Sequence, residues 1–224
     1  MEKELSLEDL LKTLPSQEGL TIEHNGKTYY RPYQTFTYKG ETFEGLREMK
    51  ERRQLFLNLI KQHNVDTSGS YLDIGCNMGY FPRVFSEVFS EVYGIDYNQY
   101  YTWFAKTISP ELSNCYFNYD INSRGLKSFF GNEKFDFVTS LSMIEYINDK
   151  QQFVKDIFDL VKDNGLVVFE GHSMDINLGF DKKYENIIRS MPWKVERLSV
   201  LTDNGINAPR EAKGRPVWTC TKKG

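Results

Sequence analysis

Three acidic residues stand at the ends of predicted strands, where their side chains could bind a polar ligand. Asp73 closes the run SYLD, Asp96 closes VYGID, and Asp120 closes NYD. In an open parallel sheet, ligands bind beyond the carboxyl ends of the strands. A carboxylate such as Asp96, about 20 residues after the first strand, can accept hydrogen bonds from both hydroxyls of a ribose. Asp120 can accept from the exocyclic amine of adenine, and the Ile121 amide can donate to a ring nitrogen.

A glycine loop follows the first of these strands. Gly75 and Gly79 form a G-x-x-x-G pattern in SYLDIGCNMGYF, where an apolar strand stops and a helix begins at once. Glycine lets the backbone pass close to a ligand, because no Cβ stands in the way. The G-x-x-x-G spacing differs from the G-x-G-x-x-G motif of nicotinamide-dependent enzymes and from the G-x-x-x-x-G-K-[ST] motif of phosphate-binding loops. The pattern alone leaves a structural turn and a ligand-binding loop equally open.

Two residues are candidates for proton transfer. His172 follows the fifth core strand in FEGHS, and the ordinary pKa of histidine suits a general base near neutral pH. Glu145, after the fourth strand, could face the substrate. His172 could equally be a loop histidine, Glu145 a helix cap, and Asp96 the cap of the helix that starts near Asn98.

Strands and helices alternate from Ser70 onwards. Short apolar strands such as SYLDIG and EVYGIDY are each followed by a helical pattern, which predicts a mostly parallel sheet covered on both faces. The rhythm stops at WKVERLSVL and RPVWTCTKK, two strands with no clear helix between them. They should pair antiparallel.

The segment before the core has a different composition. It contains a predicted helix over 5–14, a hairpin at Asn25-Gly26 and a second hairpin around Gly40. Its dense aromatic residues form either a packing layer or a substrate lid. We therefore divide the chain into an extension over 1–45 and a core domain over 46–224. In the helix that follows, from Gly45 to His63, Arg53 could bind a carboxylate in bidentate fashion, or simply be solvated.

The composition excludes several classes of protein. Of 224 residues 40% are hydrophobic and 26% charged, as in ordinary globular proteins, and the net charge of -3 gives no strong attraction to nucleic acid or membrane. Residues 181–224 carry ten Lys or Arg against five Asp or Glu, a basic segment that we interpret as a solvated face. The sequence has three widely spaced cysteines, and it shows neither an apolar run long enough to span a bilayer nor a signal-peptide pattern. These features predict a cytoplasmic protein.

Taken together, these segments resemble a known family. Five segments are similar, in order and spacing, to the motifs of class I S-adenosylmethionine-dependent methyltransferases. They are YLDIGCNMGYF, VYGIDYN, NYDINS, FDFVTSLSMIEYI and LVKDNGLVVFEGH. The match covers roughly Ser70 to His172. It implies an α/β, Rossmann-like class I methyltransferase fold with a seven-stranded, mostly parallel sheet whose last strand is antiparallel, here with an N-terminal helix and hairpin extension. It also implies S-adenosylmethionine as cofactor.

The resemblance assigns roles along the site. Asp73, Gly75 and Gly79 would shape the loop around the methionine part, with the Cys76 carbonyl near its amino group. Ser140 would line the methionine side. The residues implied for the adenosine part are Asp96 and Tyr97 at the ribose, and Asp120 and Ile121 at the adenine. Arg53 is the candidate for the methionine carboxylate. No metal site is expected, since the chain lacks the E-x-x-E-H motif of the metal-dependent small-RNA methyltransferases.

The acceptor stays open between two classes. GRPVWTC and the aromatic extension look like methyltransferases that act on saccharides or small metabolites. The Lys50–Arg53 spacing before the core is similar to that of the wobble-uridine tRNA modification enzymes. The net acidity favours an oxygen or nitrogen of a small molecule or saccharide over tRNA. The alternative of another class is a non-catalytic, nucleotide-binding scaffold. The oligomeric state is not predicted.

Overall fold

The structure of the protein is a computed structural model. It describes residues 5–16, 20–47, 49–172, 179–201 and 215–222. The predicted basic segment, 181–224, lies partly outside these ranges.

Seven strands form one sheet, preceded by two small hairpins. The hairpins are β1–β2 and β3–β4, and the sheet has the order β10-β11-β9-β8-β5-β6-β7. The strands are β1 (Thr21–His24), β2 (Lys27–Tyr30), β3 (Phe36–Tyr38), β4 (Glu41–Phe43), β5 (Ser70–Ile74), β6 (Glu91–Asp96), β7 (Tyr116–Asn118), β8 (Phe135–Leu141), β9 (Val161–Glu170), β10 (Trp193–Leu201) and β11 (Arg215–Lys222).

Helices cover both faces of this sheet, and the first helix belongs to the N-terminal extension. They are α1 (Leu7–Lys12), α2 (Lys50–Gln62), α3 (Tyr80–Phe85), α4 (Gln99–Ile108), α5 (Ile121–Arg124), α6 (Lys127–Phe130), α7 (Lys150–Leu160) and α8 (Phe180–Ile188). One core face packs Leu72 and Val138 against α7, and the other packs Tyr71 and Phe137 against α2 and α3. The central strand β5 is buried along its whole length, as its apolar sequence predicts.

The topology confirms the predicted fold. β5 pairs parallel with β6 and β8, and β8 pairs parallel with β9. β11 inserts between β9 and β10 and runs antiparallel to both. All parallel strands therefore end at one edge, where the predicted site residues were expected.

Two predicted helices are shorter than their patterns. The second helix begins at Lys50 and not at Gly45. At Gly45 the chain still passes in tight contact with residues 34–35, where a Cβ would lie 2.4 Å from the Gln34 carbonyl carbon. α3 ends at Phe85. Phe89 then turns inward to stack on Tyr71.

The N-terminal extension packs against the core. Phe36 is buried edge-on against Phe104 of α4, and the same apolar cluster includes Leu10, Tyr38 and Met78. Most of the aromatic residues in this segment therefore form a packing layer.

Polar bonds fix the extension next to the glycine loop. The Gln34 side-chain oxygen accepts from the Tyr80 amide (3.2 Å), and Arg83 donates to the Thr35 carbonyl (3.0 Å). These bonds join residues 34–35 to the start of α3.

Candidate active site at the carboxyl edge of the sheet

The glycine turn leaves β5 at a sharp angle. Gly75 has φ +81°, and the amides of Gly75 and Cys76 both donate to the Ile95 carbonyl of β6, at 2.8 and 3.0 Å. A Cβ at Gly75 would lie 2.4 Å from the Met143 side chain. The turn therefore holds a left-handed conformation that favours glycine, and it has no room for a larger residue without movement of Met143.

Cys76 and Gly79 support this turn from behind. The Cys76 side chain is fully buried, and its carbonyl accepts from the Gly79 amide at 2.9 Å. Gly79 has φ +77°, and a Cβ there would lie 2.7 Å from the Tyr116 ring. Neither residue lines the two cavities at this edge of the sheet, so both shape the loop from its buried side.

Asp96 ties the glycine loop to the second strand end. One carboxylate oxygen accepts from the Asn77 amide at 3.0 Å and the other from the Asn98 amide at 2.9 Å. Asn98 itself caps α4, by accepting from the Tyr100 amide. Burial raises the pKa of Asp96 above its ordinary range. The carboxylate is thus held in place without serving as the cap of the helix.

Asp73 is a deeply buried carboxyl group of the site. It is 2% exposed, and the Thr139 hydroxyl donates to it at 2.7 Å. The Thr139 hydroxyl in turn lies 2.6 Å from the Tyr71 hydroxyl. Burial raises the pKa of Asp73 to about 7, with a further contribution from the nearby charge of Asp96. The group therefore changes charge near neutral pH.

Two cavities meet at this edge. The first has a volume of about 310 Å³ and the second about 330 Å³. Asp120 and Ile121 line the second cavity, where the Asp120 carboxylate accepts from the Asn122 amide at 3.0 Å. The residues that line both cavities are Gly75, Asp96, Tyr97, Met143 and Tyr146. The cavities therefore form one cleft, with the exposed Tyr97 ring at the junction.

We call one part of the cleft the carboxylate end. It consists of the glycine turn with Asp73, Asp96 and Asp120. The other part we call the arginine end. It consists of Arg47, Arg52, Arg215, Glu170 and His172, all of which line the first cavity. The arginines thus all line the first cavity, which Asp73 and Asp96 also line, whereas Asp120 lines the second.

Most of the chain matches one protein family. Residues 43–204 match the model of the family described as "Methyltransferase domain", which is more than half of the chain. The chain belongs to this family. No curated protein matches the sequence. The family confirms the class I methyltransferase resemblance, methyl transfer as the activity and S-adenosylmethionine as the donor.

Solved structures share the fold of this methyltransferase. An S-adenosylmethionine-dependent methyltransferase from Clostridium acetobutylicum is 12% identical, with a TM-score of 0.62 over 79% of this chain and 93% of that one. The N-methyltransferase NodS from Bradyrhizobium japonicum, solved with S-adenosyl-L-homocysteine, is 15% identical, with a TM-score of 0.59 over 78% and 88%. A putative methyltransferase in complex with the Haloferax volcanii Trm112 activator is 16% identical, with a TM-score of 0.60 over 79% and 92%.

The cleft of the methyltransferase suits its donor. A buried carboxylate lies at the junction of the two cavities, beside a turn that a Cβ would fill. A ribose needs such an acceptor, and a methionine amino group needs a carboxyl such as that of Asp73. The residues present therefore fit S-adenosylmethionine.

Five predicted site residues lie outside the walls of the two cavities: Cys76 and Gly79, described above, and three others. Arg53 points towards Glu87 (3.9 Å), whereas its neighbour Arg52 lines the first cavity. Ser140 is 1% exposed, and its hydroxyl has no hydrogen-bond partner within the described part of the chain. Glu145 is half-buried, and Tyr146 beside it lines the cleft instead.

His172 lies where the prediction needs it, in the wall of the first cavity. Glu170, two residues earlier, is held between two arginines. Arg52 donates to one of its oxygens at 3.0 Å and Arg215 to the other at 3.2 Å, with all three side chains at most 8% exposed. Glu170 is thus a structural anion, with each carboxylate oxygen bonded to an arginine.

Several residues of the cleft had no signal in the sequence. They are Gln34, Arg47, Arg52, Tyr101 and Arg215, whereas Tyr33, which also lines the first cavity, belongs to the aromatic segment for which a lid was one alternative. Arg215 belongs to the segment that we interpreted as a solvated face, yet it is 2% exposed. Its acidic partner is 45 positions away, so no local pattern could have identified it.

The described part of the chain contains neither a metal site nor a membrane helix. Within those ranges, no three His, Cys, Asp or Glu side chains are grouped so that they could hold a metal ion. None of the described helices has the length and apolar character needed to cross a membrane.

Proposed function

We propose that this methyltransferase transfers a methyl group to an oxygen or nitrogen of a small-molecule or saccharide acceptor, bound in the first cavity. The supporting observation is the polar and aromatic lining of that cavity. At about 310 Å³ it lies within the range of small-molecule sites, and the extension contributes Tyr33 and Gln34 to its wall.

The cofactor would lie along the carboxylate end. Asp120 and Ile121 would contact the adenine, and Asp96 with Tyr97 the ribose. The turn from Gly75 to Gly79, with the Cys76 carbonyl and Asp73, would surround the methionine amino group, and Ser140 would support that wall from within the sheet. We assign the methionine carboxylate to Arg52, since Arg53 points away from the cavity.

The chain's own task is then alignment and proton removal. When bound, S-adenosylmethionine supplies an electrophilic methyl group on its sulfonium. Alignment of two reactants can contribute roughly 7–11 kcal/mol to the lowering of a barrier. His172 would accept the proton of a hydroxyl acceptor, with Glu145 as the second candidate. A neutral amine acceptor would need no such base at the transfer step.

A fractionation experiment tests this proposal. The protein is mixed with S-adenosylmethionine labelled in the methyl group and with a cell extract separated into RNA and small-molecule fractions. We expect label in the small-molecule fraction, abolished by excess S-adenosylhomocysteine. Label in RNA would instead indicate tRNA as the acceptor. Two observations count against tRNA: Lys50 faces Glu44 (3.7 Å), and Arg53 faces Glu87.

A further inference from the structure

Arg47 is held rigidly at the wall of the first cavity. The amide of Leu46 donates to the Pro32 carbonyl (2.9 Å) and that of Arg47 to the Tyr33 carbonyl (3.1 Å). The Arg47 side chain donates through Nε to the Tyr33 hydroxyl at 2.9 Å, and its guanidinium lies 5.0 Å from the centre of the Tyr33 ring. A guanidinium fixed in this way loses little conformational freedom when it binds an anion.

Arg52 and Arg215 add two more guanidinium groups to the same cavity. Both bond to Glu170, and the Arg215 guanidinium also donates to the Ser142 hydroxyl. The group of two arginines and one carboxylate is almost fully buried, at 8%, 2% and 2% side-chain exposure. Burial strengthens the attraction between such groups and an anion in the cavity, because little water screens them.

The three arginines exceed the need of the cofactor. S-adenosylmethionine carries one carboxylate, which a single guanidinium can bind in bidentate fashion. The buried carboxyls Asp73 and Asp96 line the same cavity, but both already accept hydrogen bonds from the protein, Asp73 from the Thr139 hydroxyl and Asp96 from two backbone amides. All three arginines line the cavity, so an anion that enters it meets guanidinium groups whatever further bonds those groups make.

We propose that the methyl acceptor carries an anionic oxygen group, a carboxylate or a phosphate, and that Arg47, with Arg215, binds it. This inference rests on the proposed function and names the class of its acceptor. The guanidinium of Arg47 selects such acceptors and orients them.

Binding of simple anions tests the site without knowledge of the acceptor. The protein is saturated with S-adenosylhomocysteine and titrated by calorimetry with sodium acetate and, separately, with sodium phosphate, at constant ionic strength set with sodium chloride. We expect one of the two anions to bind. Arg47→Gln should weaken this binding about 10-fold or more, the usual value of a charged hydrogen bond. The affinity for S-adenosylhomocysteine should change less than about 2-fold.

Arg31→Gln is the matched control. Arg31 lies in the same segment, donates to the Glu44 carbonyl at 3.3 Å and does not line the cavity, so anion binding should be unchanged. Arg47→Lys keeps the charge without the planar fork and should bind with intermediate affinity. Equal anion binding by wild type and Arg47→Gln, or none by wild type, would overturn the proposal.

The labelled products give an independent readout. After transfer to the small-molecule fraction, the label should be retained on an anion-exchange column at neutral pH, and treatment with phosphatase distinguishes phosphate from carboxylate. Label only in the unretained fraction overturns the anionic acceptor while leaving methyl transfer intact. If S-adenosylhomocysteine itself does not bind, the proposed function fails instead.

Discussion

The two ends of the cleft are built in different ways. At the carboxylate end, Asp96 accepts hydrogen bonds from amides 19 and 2 positions away, so both donors lie close to it in the sequence. At the arginine end, Arg52 meets Glu170 across 118 positions, and Arg215 meets the same residue across 45. Binding of the donor's ribose and amino group would thus depend on locally encoded geometry, whereas binding of its carboxylate by Arg52 and choice of the acceptor would depend on the tertiary fold. Variants at the two ends should therefore affect different measurements.

The largest effect should come from the glycine turn. Gly75→Val would place a β-branched residue at φ +81° and against Met143, so we expect binding of S-adenosylhomocysteine to be abolished with the fold kept. Gly131→Val is the control, since Gly131 has φ +59° but no atom within 4 Å of its Cβ position. Calorimetry measures binding of S-adenosylhomocysteine, and thermal unfolding measures the stability that backbone strain would lower. Retained binding in Gly75→Val would contradict the close-approach argument.

The second effect tests the arginine end. If the acceptor is a hydroxyl, His172→Ala should lower kcat by about 10²–10⁴-fold, the usual contribution of a general base. The affinity for S-adenosylhomocysteine should stay unchanged, because His172 would contact the acceptor. The profile of kcat/KM against pH should also lose its rising limb near the pKa of histidine. Near-full turnover with an unaltered profile would reject the assignment and favour alignment alone, or Glu145.

A moderate effect is expected at Asp96. Asp96→Ala should weaken binding of S-adenosylmethionine by roughly 1–3 kcal/mol, the cost of leaving hydrogen-bonding groups unpaired. Asp96→Asn keeps the size of the side chain and should lose less binding free energy than Asp96→Ala. Calorimetry measures both, and the kcat at saturating donor should change little. An unaltered affinity of Asp96→Ala would remove this residue from the ribose site. It would also contradict the expectation that variants at the carboxylate end weaken binding of the donor.

The smallest effect is a pH dependence from Asp73. Its pKa of about 7 in the folded protein exceeds its ordinary value, so its contribution to folding stability is lost as pH rises from about 4 to 7. Asp73→Asn keeps an acceptor for Thr139 but does not ionise. We therefore expect the Tm of Asp73→Asn minus the Tm of wild type to be larger at pH 8 than at pH 5, by at least about 2–4 °C. The same difference at both pH values would show that Asp73 is already ionised at pH 5.

The carboxylate end could be predicted because its signals are short-range. A strand, a glycine turn and an acid at the end of the next strand are all visible within about 30 positions of sequence, the span of one strand–helix–strand unit, which is why Asp73, Gly75 and Asp96 could be identified. The arginine end could not be predicted in this way. Arg52 and Arg53 are adjacent, and residue type alone does not tell which of them faces the cavity. Arg52 shares the buried face of α2 with Phe56 and Leu59, and Glu170 meets it there from a distant part of the chain. The fold was predictable for a related reason, since the alternation of strands and helices repeats regularly after Ser70.

The position of β11 has a consequence for the order in which the enzyme forms. β11 is synthesised after β10 but lies between β9 and β10 in the sheet. On the ribosome, strands β5 to β9 can pair as they emerge, whereas β10 has no neighbour in the sheet until β11 inserts. Arg215, the first residue of β11, joins Glu170 only at that step. We therefore expect nascent chains to acquire donor binding before acceptor recognition. Stalled chains that end before residue 215, and chains that include all of β11, each followed by a linker that fills the exit tunnel, would separate the two steps.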